Sequence, residues 1–169
     1  MIELEIKGIL PDIKRALSFI EENDGILIWE GMERDTYYSS PVEDFKETDK
    51  CLRVREKDDT HILTFKGPKM DSFSKSREEL ESLASGEIFK IMEHLGFKKV
   101  RVVEKRREVY SILGYELCLD KVNGLDGVYI EMEKKGNYNE KDLKKAKKHL
   151  KEIGVTTFER RSYLELLEI

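Results

Sequence analysis

The feature that most constrains this chain is visible in its first eight residues. Ile2, Leu4 and Ile6 fall on one side of an extended backbone and Glu3, Glu5 and Lys7 on the other. That period of two specifies a strand with one apolar face and one charged face. The division recurs down the chain. Arg53 and Arg55 alternate with Leu52 and Val54, Lys75, Arg77, Glu79 and Glu81 share a parity, and Glu131 and Glu133 alternate with Ile130 and Met132. Such strands must cover the apolar stripe, and they leave the charged stripe either in water or around an enclosed space.

The pattern predicts strands over residues 1–8, 26–39, 51–57, 60–67, 73–83, 98–110, 115–122 and 127–134. Three helical stripes interrupt them. The first is opened by Pro11 and carries Ile13, Ala16, Leu17 and Ile20; the second is capped by Ser85 and carries Ile88, Ile91, Met92 and Leu95 up to Gly96. The third is capped by Asn139 and carries Leu143, Ala146, Leu150 and Ile153 up to Gly154. Short connections at Asp58 and Asp59, at Leu113 and Gly114, and over 123–127 make successive strands antiparallel.

Eight such strands can close into a barrel that holds side chains or one small ligand. With helices on the apolar faces, closure turns the charged faces inward. The expected fold is therefore α+β, an eight-stranded antiparallel β-barrel with amphipathic helices outside, as one domain over 1–169. Residues 39–50 form the best candidate for a mobile loop. The sixth strand is irregular, because Val100 and Val102 share parity with Glu104 and Arg106, which suggests a bulge.

Charged residues make up 39% of the chain, yet the net charge is only −4. A mildly acidic protein lacks the global field that grips nucleic acid, so a polyanion would have to be held by a local cluster. No apolar run approaches the ~18 residues that span a bilayer, and the expectation is a cytoplasmic protein with neither membrane nor nucleic-acid partner. Cys51 and Cys118 read as buried free thiols, and His61, His94 and His149 are too scattered for a metal site. Lys141, Lys144, Lys145, Lys147 and Lys148 read as the solvated face of the last helix. Trp29, Tyr37 and Tyr38 could stack on a ligand ring or pack in a core.

Converging Lys and Arg side chains interleaved with carboxylates suit a polyphosphate and its metal. Glu3 and Glu5 lie about 7 Å apart along one strand face, close enough to share or adjoin cations. Hard oxygen ligands without a His or Cys cluster favour Mg2+ or Mn2+. No covalent nucleophile is required, and Lys66 or Lys75 could orient a water for hydrolysis. Many like charges in one lumen would also strain an empty barrel.

Several segments together resemble the CYTH superfamily, which includes class IV adenylyl cyclases, thiamine triphosphatases and inorganic triphosphatases. Glu3-Leu4-Glu5-Ile6-Lys7 is similar to its ExExK strand, Asp35-Thr36-Tyr37-Tyr38 to its DxYY segment and Leu52-Arg53-Val54-Arg55 to its LRxR strand. Leu63-Thr64-Phe65-Lys66-Gly67-Pro68 resembles its TxKGP hairpin, followed by Lys75 with Arg77. Leu95-Gly96-Phe97 resembles its helix end, Lys105 with Arg107 its KxR strand, Asp120 with the segment from Val128 to Glu133 its late acidic motif, and Ser162-Tyr163-Leu164 its C-terminal SYxxLL. The order and spacing hold along essentially the whole chain.

The resemblance implies an eight-stranded triphosphate tunnel. Glu3, Glu5, Asp120, Glu131 and Glu133 would be the metal-associated set, and Lys7, Arg53, Arg55, Lys66, Lys75, Arg77, Lys105 and Arg107 would hold phosphates, with Glu5 and Lys66 or Lys75 at the reacting centre. Glu33 departs from the Gln that many members carry, which bears on the rim and leaving-group end. Three functions stay open. They are a triphosphatase acting on tripolyphosphate, thiamine triphosphate or a nucleotide, which leads because water is a less demanding nucleophile than a positioned ribose; an adenylyl cyclase; and a non-catalytic polyphosphate-binding module.

Overall fold

A computed structural model of the chain describes residues 1–137 and 139–168. In chain order the elements are β1 (Ile2–Leu10), α1 (Ile13–Glu22), β2 (Ile26–Ser39), β3 (Cys51–Lys57), β4 (Thr60–Lys69), β5 (Arg77–Ala84), α2 (Ile88–His94), β6 (Lys98–Ile112), β7 (Tyr115–Val122), β8 (Val128–Gly136), α3 (Glu140–Ile153) and α4 (Tyr163–Leu167). The strands close in the order β1-β5-β4-β3-β2-β6-β7-β8, and every neighbouring pair is antiparallel. Closure removes the sheet edges that would otherwise need protection.

The hydrophobic core lies outside the barrel. Leu4, Ile6, Leu117, Leu119, Ile130 and Met132 point away from the lumen and meet Ala16 and Ile20 of α1 and Leu143, Ala146, Leu150 and Ile153 of α3. A second cluster joins Tyr38 and Val54 to Ile88 and Met92 of α2. Because one parity of each strand is taken up by this outer packing, the other parity has only the interior left to it. At one end of the barrel Tyr37, Val103, Val122 and Tyr129 pack around Tyr163 of α4.

Local chemistry explains where the elements start. Asp12, after Pro11, caps α1, its side chain accepting from the Lys14 N–H at 2.9 Å. No side chain caps α2; Glu87 holds that position, and Ser85 contributes only its carbonyl, which accepts from the Ile88 N–H at 3.1 Å. Asn139 caps α3 as expected, and Gly154 ends it at φ +105°. A fourth helix, α4, was not anticipated, although Ser162 and Glu165 form a capping box around its start.

The fifth strand begins at Arg77 instead of residue 73. Asp71 accepts from the N–H groups of Phe73 and Ser74, and this turn overrides the alternation that suggested an extended chain. Lys75 therefore sits on a connecting segment tied to β1, where its N–H donates to the Glu5 carbonyl at 2.9 Å. The suspected irregularity of β6 is real: the β2–β6 register shifts between Tyr37 and Tyr38, leaving Val100 as the extra residue, and shifts again between Leu27 and Trp29. Residues 40–50 are organised around Asp44, which accepts from Lys46 and Glu47 N–H groups. Gly8 is required where β1 meets the returning chain, since a Cβ there would stand 2.3 Å from Val155 Cγ1. No helix among the described residues is long and apolar enough to cross a membrane.

Candidate active site

Strand pairing brings opposite charges face to face inside the barrel. Arg55 lies across from Asp35, Glu33 from Lys105, Arg107 from Asp120 and Lys7 from Glu131. Directly paired residues hold their Cβ atoms about 4.5–5.5 Å apart, so most cations meet a carboxylate of the next strand. The lumen encloses a cavity of about 310 Å³ lined by Glu3, Glu5, Arg53, Arg55, Lys66, Lys75, Arg77, Lys105, Arg107, Glu131 and Glu133, among others.

Three carboxylates converge. Glu5, Glu131 and Glu133 place one oxygen each within 4.8 Å of one another. Burial, reinforced by Glu131 and Glu5 and opposed by Arg107, pushes the Glu133 carboxyl up to about 7. Lys75 donates to Glu5 and, at 3.4 Å, to Glu131. Burial opposes the Lys75 charge, yet these two carboxylates hold its pKa above the ordinary lysine range. Lys66 works elsewhere, 2.7 Å from Glu79 and 3.6 Å from Glu3. Burial first, then the neighbouring Glu79 and Glu133, raises Glu3 well above the usual carboxylate range against the pull of Lys66.

Two of the expected residues stand apart from this cavity. Asp120 is fully buried and has both oxygens engaged: Arg107 donates to them through Nε and Nη2 at 2.6 Å each, Lys105 at 3.0 Å and the Tyr163 hydroxyl at 2.7 Å. It holds in place cations that line the lumen. Lys7 is 1% exposed, donates to the Arg161 carbonyl at 2.5 Å and lies 4.1 Å over the Tyr163 ring. It braces the end closed by α4. Burial first and then Lys75 lower its pKa to about 7.

Carboxylates outside the expected metal set also line the lumen, Asp35, Glu79 and Glu33 among them. Arg55 donates bidentately to Asp35 at 2.7 Å through both Nε and Nη2, and Arg53 adds a contact at 3.2 Å. Glu79 holds Lys66 and lies 3.5 Å from Arg53. Glu33 is 1% exposed and 3.1 Å from Arg55 Nη1. It lies among the cations of the lumen, with Lys57 3.8 Å from its other oxygen. The signal for all three was the parity that identified their neighbours. These carboxylates interleave anions with the cations of the lumen. Arg77 is the contrast, with a buried Nε that lacks a hydrogen-bond partner.

At the open end, Ile28, Trp29, Ile62 and Val109 line the mouth of the cavity. Trp29 donates to Asp58 at 3.0 Å, and Lys57 lies 3.7 Å over its ring. Tyr37 lies eight residues away along β2, in the cluster around Tyr163, and Tyr38 belongs to the outer core under α2. Cys51 and Cys118 are free thiols, half-buried and buried.

Comparison with known proteins agrees with this architecture over nearly the whole chain. A protein of Methanocaldococcus jannaschii carried under a provisional adenylate cyclase name is 36% identical over 173 residues, covering 98% of both chains. The PH1819 protein from Pyrococcus horikoshii OT3 is 37% identical, superposes with a TM-score of 0.87 and covers 98% of each chain. A Hippeastrum protein described as an adenylyl cyclase candidate with a dominant triphosphatase activity shares the fold at 18% identity, with a TM-score of 0.69 over 98% of this chain and 95% of its own. The model of the CYTH domain matches residues 1–163, and the chain belongs to the CYTH domain family.

Proposed function

We propose that this protein is a metal-dependent triphosphatase that holds a linear triphosphate in the barrel lumen and hydrolyses its terminal phosphoanhydride bond. One observation carries the reading: a trio of converging carboxylates and nine basic side chains line the same small cavity. Tripolyphosphate, thiamine triphosphate and nucleoside triphosphates share the group that such a cavity would clamp.

The residues fit a divalent ion. Glu5, Glu131 and Glu133 form an all-oxygen donor set, which suits Mg2+ or Mn2+. The raised Glu133 carboxyl marks an excess of negative charge that a cation would relieve. Bound there, the ion would neutralise charge on the phosphate oxygens. Arg53, Arg55, Lys105 and Arg107 would hold the chain of phosphates with directional donors, and the free Nε of Arg77 offers another. Lys75, at the trio, is better placed than Lys66 to orient a water toward the terminal phosphorus. Water oxygen bonds to phosphorus, the bridging P–O bond breaks with its electrons leaving on the diphosphate, and a proton passes to solvent.

The apolar mouth supports a second reading. Ile28, Ile62 and the fixed Trp29 could receive a base, and the 36% identical relative bears its provisional cyclase name. In a cyclase the ribose 3′-hydroxyl would attack the α-phosphorus and expel pyrophosphate. Tyr37 and Tyr38 belong to other clusters, which leaves Trp29, among the described residues, as the aromatic at that mouth for clamping a nucleoside. Hydrolysis asks nothing of that end. With Mg2+ or Mn2+, tripolyphosphate should be hydrolysed at least as efficiently as ATP, with cyclic AMP a minor product at most. Stoichiometric cyclic AMP and pyrophosphate from ATP, with tripolyphosphate inert, would establish the cyclase instead. Tight binding with no turnover of either would leave a polyphosphate-binding module.

A further inference from the structure

Glu33 is a lumen carboxylate whose contacts differ in kind from those of Asp35 and Asp120. Asp35 and Asp120 are each locked by a two-pronged arginine hydrogen bond. Glu33 Oε2 instead lies 3.1 Å from Arg55 Nη1, 3.4 Å from Lys105 Nζ and 4.0 Å from Arg107 Nε. That oxygen accepts no hydrogen bond, although it is buried, a condition it shares with Glu79 Oε2. Glu33 Oε2 is therefore held by surrounding charge without a directed bond.

We propose that Glu33 is a tethered competitor anion, occupying in the empty lumen the position of a phosphoryl group and yielding it when a triphosphate enters. This rests on the triphosphate reading above. Each cation facing Glu33 has a second carboxylate that keeps it in place once Glu33 withdraws: Asp35 for Arg55, and Asp120 for Lys105 and Arg107. The clamp is thus preorganised without Glu33. A destination also exists, because Lys57 stands 3.8 Å from Glu33 Oε1 and its side chain is 28% exposed at the mouth. Exchange of one anion for another keeps the lumen near neutrality and holds triphosphate affinity below what the bare cations would give. The same competition would favour release of a shorter, less charged diphosphate.

Titration calorimetry with tripolyphosphate tests this, in EDTA and again with Ca2+ as the metal. Glu33→Gln keeps the shape but removes the competing charge, and its Kd should fall by about tenfold or more, the change expected from about one net charge contact. The empty variant should melt below the wild type, and saturating tripolyphosphate should narrow that gap. A purely structural Glu33 would lower both melting temperatures equally and leave Kd unchanged; a Glu33 that aided binding would raise Kd. Either result overturns the proposal. If Glu33→Gln fails to fold, Glu33→Asp draws the carboxylate back from the same cations and should tighten binding to a smaller degree, with unchanged or weaker binding counting against the proposal. Absence of tripolyphosphate binding by the wild type in both media would refute the triphosphate reading itself.

Discussion

Asp120→Asn separates a structural carboxylate from a metal ligand. Asp120 accepts hydrogen bonds from Arg107, Lys105 and Tyr163 at a fully buried position. An asparagine of the same shape carries no charge and replaces one acceptor by a donor. Its best orientation keeps oxygen at the crowded Oδ2 position, where Arg107, Lys105 and Tyr163 all point, and turns the amide nitrogen against Arg107 Nε. Removing one partner of a buried ion pair costs about 3–5 kcal/mol. At about 2–4 °C per kcal/mol for a chain of this size, the melting temperature should fall by about 6–20 °C.

The loss should depend on pH with a definite sign. Burial would raise the Asp120 carboxyl, but Arg107 and Lys105 outweigh it and hold the pKa below the ordinary aspartate value. A depressed folded pKa gives stability that is present above the unfolded value, about 4, and is lost as pH falls through the folded one. Guanidinium unfolding of wild type and variant should therefore differ most near neutrality, and the gap should close on acidification below about pH 4. Mn2+ affinity of the folded variant should stay near that of the wild type, because Glu5, Glu131 and Glu133 are unchanged. A stability difference under about 1 kcal/mol, typical of an exposed pair, would refute the account of Asp120, as would loss of Mn2+ binding from a folded variant.

Other outcomes follow from the same geometry. Glu5→Gln and Glu133→Gln should each abolish divalent-dependent turnover while circular dichroism stays that of the wild type; full activity in both would sink the metal assignment. Because the folded Glu133 carboxyl lies near 7, above its unfolded value, the folded state takes up a proton that the unfolded one releases. Its stability contribution is thus present at low pH and lost as pH rises from about 4.3 toward 7, and Mn2+ affinity should climb over that upper range in wild type but not in Glu133→Gln. Tripolyphosphate should raise the melting temperature of the wild type. Arg53→Ala and Arg55→Ala should each reduce that rise, and equal shifts in all three proteins would mean that neither arginine meets the ligand. Leu150→Ala, fully buried under the barrel's outer face, should cost about 2–5 kcal/mol without changing Mn2+ affinity, as denaturant titration and calorimetry can check.

Alternation identified the charged face of β1, β3 and β8, because side-chain direction on a strand is a local property, and barrel closure with helices outside turned that face inward. It also carried the identity of the outer helices, whose stripes needed only a period near 3.6. The residues left without a role, Glu33, Asp35 and Glu79, obeyed the same parity, so the means to place them in the lumen was present. What could not be read was their partners. Whether a carboxylate is free to bind a metal depends on who stands opposite, and that is set by pairing between strands distant in sequence.

Closure decided those partners. Bringing β8 back beside β1 joined Glu131 and Glu133 to Glu5 and made the trio, while β6–β7 pairing delivered Arg107 onto Asp120. The turn at Asp71 moved Lys75 off its expected strand and onto Glu5. Docking of α4 turned Lys7 from a lumen cation into a brace beneath Tyr163. In each case the sequence by itself determined that a charged group faces the interior. Only the tertiary structure decided whether its charge was already satisfied, because Coulomb and hydrogen-bond energies depend on distances that no local pattern records.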